Sequence, residues 1–367
     1  MFAVINGLLN SRVYWMCILF LPMFCNAQKT SGPIVLNDQQ FLLSPKEFYM
    51  AGVVDDREYR SAVAWLLPAT KVNAATPTYT IDLKDGALAA IKQFISKSLP
   101  PDKALRPVII HIKKFRVDEV LQPGGSINGK LRVDFSFMLK KTGDDVQLVD
   151  YNGALNYARN QAQQMDLGSL LSNTLQAALI YFSTWMNKQA DGNIKLANGV
   201  KLIFDNYTEQ PEGDTIYYSA KRPLTWADFR QKPPNSKYEA EVFPSFGYNE
   251  RVEVIKGIVN VHLSLKAYLP KSASWVKSGA RTDYNLNHEQ RHFDIVKLVA
   301  EHFKQALLKE KFTVDNYDGP INVQYLDSFS EMNQLQEKYD GDTAHGTNQG
   351  AQSEWNVRID KELFSSK

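Results

Sequence analysis

The sequence predicts an α+β protein built as two domains, on three observations. Stretches in which apolar and polar residues alternate, the period of a strand, are interleaved with stretches whose apolar residues recur every three or four, the period of a helix. A length of 367 residues suits two domains better than one. A polar, glycine-containing segment, Asn187–Gly199, separates two such mixtures and sets a boundary near residue 190.

The chain opens differently from its remainder. Before Lys29 it has one cation, Arg12, and no acidic residue, and an apolar run from Val13 to Phe24 leads into Cys25-Asn26-Ala27. This reads as a secretory signal peptide, residues 1–27, cleaved after Ala27, so the protein is expected to be exported, either periplasmic or secreted. The run is shorter than the roughly 20 residues a bilayer-spanning helix needs, so no stable membrane span is expected after cleavage. An uncleaved N-terminal anchor is the competing reading. Phe24 precedes Cys25 where a lipidation signal would place a small residue. Both cysteines, Cys17 and Cys25, fall in this segment. A mature chain would have no disulfide and no cysteine nucleophile, and any metal site must use His, Asp and Glu. A formal net charge of +2 gives no electrostatic case for a nucleic-acid partner.

Residues 28–190 read as an α+β domain of unassigned role. The pattern is irregular to about Ala75. Leu88, Ile91, Phe94 and Ile95 then share one stripe of a helix that Pro100-Pro101 ends. Arg106–Val120 is β-rich, and Leu131, Val133, Phe135 and Phe137 alternate onto one side of a strand. Asp145–Ala158 reads as a strand pair or one long bent strand. Asp166–Lys188 is a helix apolar on most sides, hence expected to be well buried. The sheet should be largely antiparallel, with His111 a structural residue within it. Its helix and sheet content loosely resembles the auxiliary lipoproteins of envelope transporters, a likeness that no motif carries.

Residues 191–367 form the second domain. Val259, Val261, Leu263 and Leu265 face one way along a half-buried strand, and Asn260, His262 and Ser264 the other. A long helix follows to about Lys311, then a helix near Asp327–Lys338. A polar glycine-rich loop, Tyr339–Gly350, and a last helix with Trp355, Ile359 and Leu363 complete the chain.

The long helix opens with H-E-x-x-H at His288, Glu289 and His292. Residues four apart stack on one helical face, so the two imidazoles can converge on one ion. Glu289 points about 100° away, suited to act as a base on water rather than as a ligand. Asp283, Asn285 and Asn287 are available as N-caps. Ile295, Val296, Val299, Phe303 and Ala306 continue the histidine stripe, so both histidines open a buried face. There a metal or a pair of core hydrogen bonds must satisfy them. A catalytic zinc needs a third protein ligand. His302 lies about 15 Å along the same helix and cannot reach. His262 is available on the strand, and Glu331, Glu337 and Asp340 are carboxylate candidates at longer range. His345, in the glycine-flanked loop and free to fold back, is the leading candidate.

Leu224–Pro234 (LTWADFRQKPP), Asn287–Ile295 (NHEQRHFDI) and Tyr339–Ile359 (YDGDTAHGTNQGAQSEWNVRI) together resemble a bacterial family of predicted secreted zinc-dependent proteases, the domain of unknown function numbered nine-two-two. The resemblance spans roughly Tyr217 to Leu363. It implies a zincin-like metallopeptidase domain with an H-E-x-x-H helix packed under a sheet, holding Zn2+ and acting on a peptide or protein substrate. It also implies that His345 is the distal metal-site residue. The chemistry expected is peptide hydrolysis by a zinc-activated water, with Glu289 as general base. Tyr339 or Thr343, in the His345 loop, would supply the oxyanion hydrogen bond, although Tyr339 reads equally as a packing aromatic. Asp340 would orient a histidine or cap the loop. Trp226 and Trp355 read as packing residues. The alternative is a non-catalytic envelope binding protein that retains a peptidase-like fold. An intact Glu289 favours the enzyme, because a binding domain has no need of a base.

Overall fold

The computed structural model describes residues 32–37 and 43–365; the segment read as a signal peptide lies outside them. The chain divides into two compact units, one ending at Ala190 and the other beginning at Asp191. Each mixes sheet and helix, an α+β architecture. No helix among the described residues is long and apolar enough to cross a membrane.

In the first unit, β1 (Phe48–Asp55), β2 (Ala64–Leu66) and β3 (Tyr79–Ile81) precede α1 (Ala87–Ser98). The long strands β4 (Arg106–Leu121), β5 (Ile127–Leu139) and β6 (Val146–Arg159) follow, then α2 (Leu167–Gln189). β4, β5 and β6 form an antiparallel meander. β1 runs parallel to the first half of β4 and β2 parallel to its second half, with β3 beyond β2. Val108, Ile110 and Ile112 are buried, and after a register shift the buried positions become Phe115 and Val117. The shift adds one residue and so restores the apolar side to the core. Ile91 and Ile95 of α1 and Leu175 and Leu179 of α2 meet Ile110, Ile112, Phe135 and Phe137 of the sheet around one small space. Phe182 stacks on Phe137 at 4.1 Å between ring centroids.

Three expectations change in detail. The stretch to Ala75 contains β1 and β2, whose pairing depends on β4, far along the chain, and not on any local alternation. Asp145–Ala158 is one strand, and its bend is a register shift opposite Phe137/Met138. α2 buries one side only, leaving Ile180 at 45% and Tyr181 at 39% exposure.

In the second unit, β7 (Gly199–Asn206) lies parallel to β11 (Ile258–Pro270), and β8 (Thr215–Tyr217) pairs with the far end of β11. β9 (Ala240–Glu241) pairs with β12 (Trp275–Val276) in a separate ladder. β10 (Ser245–Ile255) and β11 form a hairpin through Lys256-Gly257, at φ 51° and 72°. Two positive φ values match the twist of the flanking strands. Val259, Val261, Leu263 and Leu265 of β11 are buried and the residues between them are half-buried, as their alternation requires.

Three helices complete the unit: α3 (Asp283–Leu307), α4 (Asp318–Thr343) and α5 (Gln349–Ser365). α3 is buried on two sides. Phe293, Val296, Ala300, Phe303 and Leu307 join the core of the β10–β11 sheet. Ile295 instead packs with Tyr339 of α4 and Trp355 and Ile359 of α5. Counting back by threes and fours, Glu289 heads the sheet-facing stripe, and His288 and His292 head the stripe turned toward α4 and α5. The histidines therefore do not share one stripe with Val296 and Phe303, as the sequence suggested. The glycine-rich loop is also shorter than expected. α4 runs through Gly341 to Thr343, so Tyr339, Asp340 and Thr343 are helical and only Ala344–Asn348 turns.

Candidate metal centre

α3 begins where the Thr282 hydroxyl accepts the Asn285 N–H at 3.1 Å, so Thr282 caps the helix rather than Asp283, Asn285 or Asn287. The two variable residues of the motif orient the helix. Gln290 Oε1 accepts the Leu224 N–H at 2.8 Å, joining the LTW segment to α3. Gln290, Arg291 and Tyr218 all donate to the buried Asp294 carboxylate at 2.8–3.0 Å. Arg291 also pairs with Asp360 of α5 at 2.5 Å.

α4 ends in three consecutive left-handed residues, Ala344, His345 and Gly346, at φ 48°, 52° and 80°. The reversal lays α5 back beside α3. It brings Gly346 so close to His288 that a Cβ on it would stand 3.3 Å from the ring. One turn earlier, Asp340 Oδ1 lies 3.0 Å from His292 Nε2 and 3.4 Å from His288 Nε2, and those two nitrogens are 3.3 Å apart. His288, His292 and Asp340 thus form a group that can hold a metal ion, with one donor atom from each lying within 4.8 Å of the others.

The donor set fits an ion. Asp340 Oδ1 is shut off from solvent and accepts no well-aligned hydrogen bond. A buried carboxylate oxygen left in that state is costly unless a cation or proton meets it. Bonds of about 2.0–2.1 Å to a tetrahedral zinc imply ligand separations of about 3.3 Å, the spacing found. Both outer nitrogens are anchored: His288 Nδ1 meets Gln352 Oε1 at 2.9 Å, and His292 Nδ1 meets Gln336 Oε1. Burial pushes the Asp340 carboxyl up, but the close imidazoles, poorly aligned for hydrogen bonding at 3.0 and 3.4 Å yet able to meet the oxygen with a proton where no ion does, hold the group well below the usual carboxylate range. Burial lowers His292, and Asp340 and Glu289 together lift it above its ordinary value. Glu289, 4% exposed, is pushed up by burial against the pull of His292 and His288.

His345 stands beside the group, its Nδ1 3.6 Å from Asp340 Oδ1, with its ring against Tyr238 and its side chain 44% exposed. Asp340, from the last turn of α4 and one of the carboxylate candidates of the sequence, completes the group with His288 and His292, and His345, the leading candidate there, lies at its edge. His262 pairs with Glu253, and Glu331 with His302; Glu337 is exposed. Tyr339 and Thr343 are fully buried. Thr343 Oγ1 donates to the Tyr339 carbonyl at 2.7 Å. Tyr339 Oη donates to Gln352 Oε1 at 2.8 Å, and its ring stacks on His288. Both hydroxyl protons are engaged inside the protein. Trp355 packs in the α3–α5 cluster, and Trp226 against the sheet core. Gln336 and Gln352 were not visible as site residues in the sequence, since a glutamine on a polar helix face carries no distinguishing signal.

The chain matches no protein-family model and no curated protein. Among solved structures it is similar to protein XCC0632 from Xanthomonas campestris (family DUF330), at 8% identity and a TM-score of 0.25, over 44% of this chain and 96% of that one. A likeness so slight does not bear on the site.

Proposed function

We propose that the second unit is a zincin-like, zinc-dependent peptidase domain of an exported protein, acting on a peptide or protein substrate. The observation that carries this reading is the convergence of His288 Nε2, His292 Nε2 and the orphaned Asp340 Oδ1 at 3.0–3.4 Å beside a buried Glu289. The resemblance of Leu224–Pro234, Asn287–Ile295 and Tyr339–Ile359 to the secreted protease family supports it.

His288, His292 and Asp340 would hold the ion. A zinc bound there supplies Lewis acidity toward water and a peptide carbonyl. Glu289 follows His288 at the head of the other buried stripe, and its carboxyl feels the charge of His292, His288 and Asp340 without joining their ligand group. Its role is to take a proton from the attacking water and return it to the leaving amine nitrogen. Low exposure favours this, because a carboxylate poorly served by solvent holds a proton more readily than a surface one.

The test is zinc per chain in the purified protein by elemental mass spectrometry, beside His292→Ala and Asp340→Ala, followed by peptide hydrolysis by Glu289→Gln. One zinc in the wild type, lost in both alanine variants and kept in a hydrolytically dead Glu289→Gln, is the expected result. A folded wild type that takes up no added zinc would leave the non-catalytic binding protein as the better reading.

A further inference from the structure

We propose that Gln336 of α4 and Gln352 of α5 are positioning residues that lock His288 and His292 into the tautomer presenting Nε2 to the metal. This rests on the metal reading above. The inference follows from which atoms can be donors. Gln336 Nε2 donates to the His292 backbone carbonyl at 3.0 Å, a group that can only accept. The amide is therefore oriented with Oε1 toward His292 Nδ1, and that nitrogen must carry the proton.

The second chain runs the same way. Arg291 Nε, which can only donate, meets Asn356 Oδ1 at 2.9 Å. The atom of Gln352 that also meets Asn356 Oδ1, at 3.1 Å, must then be its NH2 group. This turns Gln352 Oε1 toward His288 Nδ1 at 2.9 Å, so His288 too is protonated at Nδ1. The Arg291 of the H-E-Q-R-H segment thus sets the tautomer of its neighbour His288 through two residues of α5.

With both rings neutral, two Nε2 lone pairs and one carboxylate oxygen face one another, an arrangement a cation relieves. Fixing the outer nitrogen of a ligating histidine is worth about 10–100-fold in metal affinity. Both partners here are neutral amides, so they orient the rings without adding negative charge.

The experiment measures Zn2+ dissociation constants by chelator competition for the wild type, Gln336→Leu, Gln352→Leu, Gln336→Glu and Gln352→Glu, with folding checked by circular dichroism. Two-bond 1H–15N spectra of the wild-type histidines report the tautomers. The leucine variants are expected to lose about 10–100-fold in affinity. The glutamate variants, which keep the accepting oxygen, should recover most of it, and His288 and His292 should be protonated at Nδ1. Leucine variants that fold and bind zinc as the wild type does would overturn the positioning role and leave the metal site standing. An Nε2-protonated, Nδ1-free ring at either position would overturn it even if the leucine variants fail to fold. A wild type that binds no zinc overturns the metal reading and this one with it.

Discussion

Gly346→Ala tests how tightly the α4–α5 turn is joined to the metal centre. Gly346 has φ +80°, and an alanine held there costs about 1–2 kcal/mol of stability. The new Cβ would also stand 3.3 Å from His288 Cγ, 3.4 Å from Nδ1 and 3.6 Å from Cδ2. Carbon contacts are most favourable at about 3.5–4.0 Å, so ring or turn must yield by a few tenths of an ångström. The ring has little freedom to do so, since it stacks on Tyr339 at 4.8 Å and its Nδ1 is tied to Gln352 at 2.9 Å. Metal bonds tolerate about 0.2 Å of error. A zinc affinity about tenfold weaker, near 1.4 kcal/mol, is the expected size. Urea unfolding of metal-free protein isolates the backbone cost, and chelator competition isolates the affinity. Gly341→Ala is the control, since Gly341 lies inside α4 with nothing within 4 Å of an added Cβ. It should leave zinc binding unchanged and add about 0.5–1 kcal/mol of stability. A Gly346→Ala protein with wild-type zinc affinity would refute the claimed contact between turn and imidazole.

Three further outcomes are expected. Saturating zinc at 100 times its dissociation constant should stabilise the second unit by about 2.7 kcal/mol in denaturant unfolding, and Asp340→Ala should abolish the gain. Arg159→Met should cost about 3–5 kcal/mol in urea unfolding, because it leaves the Glu119 carboxylate, 2% exposed, without the counter-charge that holds it through two bonds of 2.7 Å, with only the Leu67 N–H and Tyr157 hydroxyl still donating to it. Asp228→Asn should lose about 2 kcal/mol at pH 7. Burial raises the Asp228 carboxyl, but Arg222 and Thr225 more than offset it, and its folded value lies below the ordinary one. That contribution is complete above the unfolded value, about 3.9, and vanishes as pH falls through the folded value. The difference between Asp228→Asn and wild type in urea midpoint should therefore shrink below about pH 4, and a constant difference would refute the assignment.

Much of the fold was open to reading because it is local. The alternation of Val259, Val261, Leu263 and Leu265 specifies a strand with one buried face whatever it pairs with. The four-residue spacing of His288 and His292 stacks two imidazoles wherever the helix goes. β1 and β2 escaped reading because each exists only by pairing with a strand far along the chain.

The sequence by itself therefore determined that two histidines share a helical face with a carboxylate beside them. Only the tertiary structure decided what completes the group. Glycine at 341 and 346 made Tyr339–Gly350 look like one loop, yet packing of Tyr339 against Ile295, Trp355 and Ile359 carries the helix on to Thr343. A helix costing about 1 kcal/mol at a single glycine survives when its buried face is worth more. That extra turn places Asp340 over the imidazoles and leaves His345 at the rim, and the same packing brings Gln336 and Gln352 to their outer nitrogens. Which side chains converge across three helices depends on how their faces seat against one another, and no local pattern in the chain encodes it.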